Sequence, residues 1–263
     1  MGSKKSFRIM SILLVLAVLA AFPLTASANH SWNNYHWART SNPFTIKLGD
    51  NVSGSWDNML AVASSDWTKA TVLDTTVVAG GTRPKSCRPT AGRVEVCSAD
   101  YGNTGWLGVA QIWLTGGHIS QGTVKNNDYY FGSSTYTYNN KAEMQHVICQ
   151  EIGHTFGLGH TSEDGSSQNT CMDYYHNKSD SDATSTHPNQ HDYDQLASIY
   201  NHVDGSTTIG STVSLPRELA GDFSAPNAWG KLISSTKDGG ASTYVRDFGG
   251  GNQVVTFVIW ANE

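Results

Sequence analysis

Beyond Phe22 the chain has no apolar run that approaches the roughly 20 residues a membrane helix needs. It has no Cys-x-x-Cys pair, which removes the usual cysteine-based zinc and dithiol arrangements. Basic residues do not dominate. There are 17 Lys and Arg against 22 Asp and Glu, for a formal charge of −5. That balance argues against nucleic acid or an anionic membrane surface as a partner. No internal repeat is present. Charged residues make up only 15% of the chain.

Bulky side chains are present in quantity: 8 Trp, 11 Tyr and 8 Phe, enough for a substantial core. The 263 residues suit one large domain, or one domain with an appendage. At the start, Lys4, Lys5 and Arg8 precede an unbroken apolar run from Ile12 to Phe22, and Ala26-Ser27-Ala28 follows. Basic leader, short apolar core and small-x-small site predict a secretory signal peptide over 1–28, cut after Ala28. Removing it takes away three positive charges and leaves −8. The 4 cysteines of an exported chain predict two disulfides, for which three pairings exist. Closeness in sequence suggests Cys87–Cys97 and Cys149–Cys171.

Phe44–Leu48 alternates like a strand, and residues 55–70 carry apolar side chains at helical spacing, with Ser55 as a candidate cap. Short strands are expected near 75–78, 93–97 and 109–114. The Gly-, Ser- and Asn-rich stretch 115–140 is expected to be loop with at most one strand. A helix is predicted over 140–155, capped by Asn140 with Glu143 reaching back, and ended by Gly157 and Gly159. Another is expected from about Pro188, with proline in its first turn. After Asp204 the composition shifts to Gly, Ser and Thr with three β-prone runs, predicting a β-meander packed on the main domain.

The stretch QEIGHTFGLGH, residues 150–160, carries the chemistry. On a helix, positions 150 and 154 lie one turn apart on the same face. Gly157 can turn the chain left-handed and bring His160 back toward them. With CMDY at 171–174, this stretch resembles the metzincin metalloproteases, whose signature is H-E-x-x-H-x-x-G-x-x-H with a later Met-turn. Ten of the eleven residues are compatible with it; the departure is Gln150 where the signature has histidine. The order strand, helix, strands, active-site helix, closing helix is also similar, and the resemblance spans about 43–203.

The resemblance implies an α+β fold with a twisted mixed sheet. It also implies a Zn²⁺ ion held by Gln150, His154 and His160, with Glu151 as general base, Met172 beneath the metal and Tyr174 as an oxyanion donor. It implies substrate lying along an edge strand near Gly108–Trp113. A glutamine amide is a weaker zinc ligand than imidazole. Three arrangements follow: Gln150 coordinates through its oxygen, another histidine replaces it, or the site holds no metal. His146 precedes Gln150 by four residues but lies eight from His154, about 12 Å along a helix axis, too far to share an ion. It is read as a core histidine. His118, His176, His187 and His191 are read as solvent-facing, His176 being the best substitute ligand.

The expected protein is therefore a secreted zinc metalloendopeptidase acting on protein or peptide: signal peptide 1–28, metzincin-like domain 29–203, β-rich extension 204–263. No room is expected for a conventional inhibitory pro-segment before the first strand, so either any latency arises elsewhere or the enzyme is slow enough to need none. The alternatives are a catalytically inactive exported binding protein on the same fold, and a metal-dependent hydrolase of non-peptide substrates. Substrate preference and oligomeric state are not encoded in any motif.

Overall fold

The computed structural model describes residues 30–212, 215–236 and 238–261. The predicted signal peptide lies outside them. Strand β1 is His36–Trp37 and β2 is Phe44–Asn51, whose alternation puts Phe44, Ile46 and Leu48 into the core. Helix α1, Ser55–Trp67, buries Trp56, Met59, Leu60, Ala63 and Trp67 at three- and four-residue steps. Ser55 does not cap it. Gly54 holds the cap position and gives no side-chain bond. Strands β3 (Leu73–Ala79), β4 (Val94–Ala99) and β5 (Trp106–Thr115) match the expected positions and are longer than expected.

The stretch 115–140 is not mainly loop. It contains the ten-residue strand β6, His118–Asn127, and the short helix α2, Asp128–Phe131. Strand β6 pairs in parallel with β4 and antiparallel with β5, so its polar residues are buried. Two of them find backbone partners, Asn126 donating to Cys97 O and Asn127 to the carbonyls of Gly102 and Trp106, whereas Thr123 Oγ1 and Asn126 Oδ1 are buried without one.

Helix α3, Lys141–His154, is capped by the Asn140 side chain, which accepts from Glu143 N at 2.9 Å. The reciprocal half of the expected capping box is missing, because the Glu143 carboxylate turns to His176 and Asn177. Helix α4, Gln190–Ile199, does not hold Pro188 in its first turn as expected: Pro188 precedes the cap residue Asn189, which forms the full capping box with Asp192.

The extension forms β7 (Lys231–Ser235), β8 (Ala241–Asp247) and β9 (Gln253–Trp260), a meander as expected. It does not form a layer of its own. It continues the main sheet, whose order is β3-β2-β4-β6-β5-β9-β8-β7, with β1 beside the start of β6. The fold is mixed α+β with a mostly-sheet core and few helices. On one face of the β5–β9 region, Leu107, Ala110, Ile112, Phe257 and Ile259 join the main core with α1 and α3. On the other, Trp113 and Val254 meet Leu219 and Phe223, while Val109 and Val258 meet Trp229. Both disulfides form as expected, Cys87–Cys97 and Cys149–Cys171. Among the described residues, no helix is long and apolar enough to cross a membrane.

Candidate active site

Helix α3 presents Gln150, Glu151 and His154, all fully buried. Three residues past its end, Gly157 adopts φ 96°, and a Cβ there would lie 2.0 Å from the carbonyl oxygen of Tyr35. Only glycine can make this turn. The turn returns His160 to the helix, with its Nε2 3.2 Å from His154 Nε2 and the rings nearly perpendicular at 87°. His154 Nδ1 faces Leu158 O at 2.8 Å. A carbonyl can only accept, so Nδ1 carries the proton and Nε2 presents a lone pair to the site. Burial, with His160 close by, holds His154 well below the usual imidazole range, which favours the neutral ring a metal requires.

Gln150 is anchored differently from a free ligand. Its amide nitrogen donates to Cys171 O at 2.8 Å and Asp173 O at 2.6 Å, both on the Met172 turn. Its Oε1 is buried without a partner. The Cys149–Cys171 bridge ties the same turn to α3, and Met172 is fully buried against Gly153.

Glu151 points its carboxylate at β5, against Gly108. Neither oxygen has a hydrogen-bond partner. Burial pushes this carboxyl well above its ordinary range, with the backbone of Ala110 opposing. Tyr174 lies with its ring centroid 6.0 Å from that of His160, its hydroxyl buried and unpartnered. Burial raises its pKa as well.

His146 is a core histidine, as expected, facing Asp173 O at 3.2 Å. His176 is not simply solvent-facing. Its Nδ1 lies 2.7 Å from Glu143 Oε1, while Glu143 Oε2 accepts from Asn177 N at 2.6 Å. Burial would raise Glu143, but the nearby His146 ring and the hydrogen-bonded His176 outweigh it and hold the carboxyl at about 2. His187 pairs with Asp66, and His191 stacks on His30.

The expected substrate edge is occupied. Strand β5 is paired with β6 on one side and with β9 on the other, over Trp106–Leu114. Phe257 of β9 is fully buried and stacks on His154, with centroids 4.2 Å apart and planes within 5°. Gly240, between β7 and β8, is the second contact: a Cβ there would lie 2.3 Å from the Tyr174 hydroxyl. These contacts were not legible in advance, because VVTFVIW signals a strand but not its neighbour.

Two facing imidazole nitrogens and an orphaned buried amide oxygen one helical turn away suit a divalent cation. Gln150, His154 and His160 are the residues that would hold it. No protein-family model matches the chain, and no curated protein matches it.

Proposed function

We propose that the protein is a secreted zinc metalloendopeptidase of metzincin type, described here in a latent form closed by its own C-terminal strands. The carrying observation is the convergence of His154 and His160 at 3.2 Å, with the unpartnered amide oxygen of Gln150 one helical turn away and the unpartnered carboxylate of Glu151 next to Gln150 on the same helix. The strand–helix–strands–helix order and the buried Met172 turn support the same reading. So do two disulfides and a leader of secretory type.

Zinc, when bound, supplies a Lewis acid and acidifies water. Glu151 accepts the proton of the attacking water and returns it to the leaving amine, a task its raised pKa suits. The Tyr174 hydroxyl donates to the developing oxyanion. A peptide substrate takes the place of β9 and pairs with β5 through its backbone. Hydrolysis therefore requires the extension to leave first.

A second reading is the non-catalytic binding protein. It is favoured by the amide of Gln150, which two carbonyls already engage, and by the seal of Phe257 on His154. Metal analysis and a casein-cleavage assay separate the two, run on the intact chain and on a chain nicked between 204 and 230. The protease reading expects zinc in wild type, tighter zinc in Gln150→His, and turnover that appears on nicking and vanishes in Glu151→Ala with zinc retained. A folded Gln150→His variant that binds zinc while wild type binds none at the 150–160 signature would leave only the binding protein.

A further inference from the structure

A second group of histidines lies outside the candidate active site and shares no residue with it. His36 comes from β1, His118 from the first position of β6, and His202 and Asp204 from the segment after α4. Asp204 Oδ1 lies 3.4 Å from His36 Nε2, 3.4 Å from His118 Nε2 and 3.7 Å from His202 Nε2. His202 Nε2 lies 3.2 Å from His36 Nε2. The His36 ring stands perpendicular to those of His118 and His202, at 90° and 89°.

These contacts make poor sense as hydrogen bonds alone. His36 Nδ1 is 2.7 Å from Asn34 O, a carbonyl that only accepts, so the proton sits on Nδ1. In the neutral ring, Nε2 then has a lone pair and no proton. That lone pair faces a carboxylate oxygen and another imidazole nitrogen. One oxygen is approached by three ring nitrogens, and that of a neutral His36 meets it acceptor against acceptor. A cation at the centre resolves this.

The dimensions fit one. For metal–ligand bonds of about 2.05 Å, the edge of a tetrahedron is about 3.3 Å. Four of the six separations, 3.2 to 3.7 Å, bracket that edge; the donor atoms of His36, His118 and Asp204 all lie within 4.8 Å of one another, and His202 approaches this trio through His36 and Asp204. The outer residues are also set as a metal site needs. Asn34 fixes the tautomer of His36. Arg39 holds the other oxygen of Asp204, donating from its backbone at 3.1 Å and its guanidinium at 2.9 Å. Asp204 N returns a bond to Arg39 O at 2.8 Å. The inner pair is sheltered, with side chains 13% exposed for both His36 and Asp204, whereas His118 and His202 are 37% and 45% exposed and leave an entry path.

We infer that His36, His118, His202 and Asp204 form a second metal site, structural in kind, for a divalent ion of the zinc class. Three imidazoles and one carboxylate suit zinc better than calcium or magnesium, which take oxygen donors. Four protein ligands leave no open position, so the ion fastens and does not catalyse. It joins β1, the start of β6 and the residues at which the extension departs.

The test uses the chain with His154→Ala and His160→Ala together, which empties the candidate active site; the His118 and His202 variants then separate the second site from the His30–His191–Asp192 group, whose donor atoms also lie within 4.8 Å of one another. Equilibrium dialysis against Zn²⁺ followed by elemental analysis is expected to find one ion per chain. Adding His118→Ala or His202→Ala, both exposed positions that leave the circular dichroism unchanged, lowers that affinity by about 100-fold. Cobalt in the same variant gives the intense visible bands of a tetrahedral centre, and His118→Ala abolishes them. Absence of zinc from the folded His154→Ala/His160→Ala chain overturns the site, as does undiminished zinc in both the His118→Ala and His202→Ala versions. Neither result depends on hydrolysis, so the peptidase reading and this one fail separately.

Discussion

Glu151 is buried with both carboxylate oxygens unpartnered in the closed form. Leaving such a group unsatisfied costs about 1–3 kcal/mol. Glu151→Leu, similar in volume, is therefore expected to raise the unfolding free energy by about that amount while abolishing hydrolysis. Urea unfolding of the metal-free chain measures it; a loss of stability would mean the carboxylate is satisfied after all. Lys125 on β6 is a second buried charge. Burial lowers it from 10.5 to about 8, with Asp222 opposing and Arg88 assisting. Between those pH values the unfolded chain binds the proton that the folded chain has lost, so stability rises with pH across that window and is flat below it. Lys125→Met should remove the rise and make the protein more stable at pH 7. Unfolding at pH 7 and pH 10 gives the sign directly.

Strand β9 has two roles, as a sheet member and as the cover of the candidate site. Replacing Phe257 by alanine is expected to cost about 3–5 kcal/mol and to leave a cavity over His154. Amide exchange in β9 should then accelerate before exchange in β4 or β6, and His154 should become accessible to imidazole-modifying reagents. Equal acceleration everywhere would mean that β9 does not open independently. This cover shows where sequence reading ends. The signature at 150–160 was legible because its residues are neighbours on one helix and one turn, and the turn is imposed by a single glycine. The partner of β5 was not, because strand pairing is a long-range choice that alternation does not encode. Strand β6 hid for another reason: Gln121, Thr123 and Lys125 look solvent-facing until both flanks of the strand are known. The His36–His118–His202–Asp204 group was invisible in the same way, with 166 residues separating His36 from His202.

At the scale of the whole molecule, the Cys149–Cys171 bridge closes a 22-residue separation and links α3 to the Met172 turn. Loop-closure entropy assigns it about 3 kcal/mol. The paired substitution to alanine should lower the denaturation midpoint accordingly and weaken zinc at the signature, because Gln150 is anchored on the same turn. A chain nicked between 204 and 230 is expected to shed its C-terminal piece on gel filtration, since the strand ladder and packing along β5 are then all that hold β9; co-elution of the two pieces would show that this ladder alone keeps the site closed. One consequence follows from that ladder. Withdrawing β9 bares a ten-residue strand whose peptide groups have lost their neighbour. Any second copy can offer it a replacement. The event that frees the histidines therefore also makes the molecule adhesive, so the opened form is long-lived only when dilute and aggregates when concentrated.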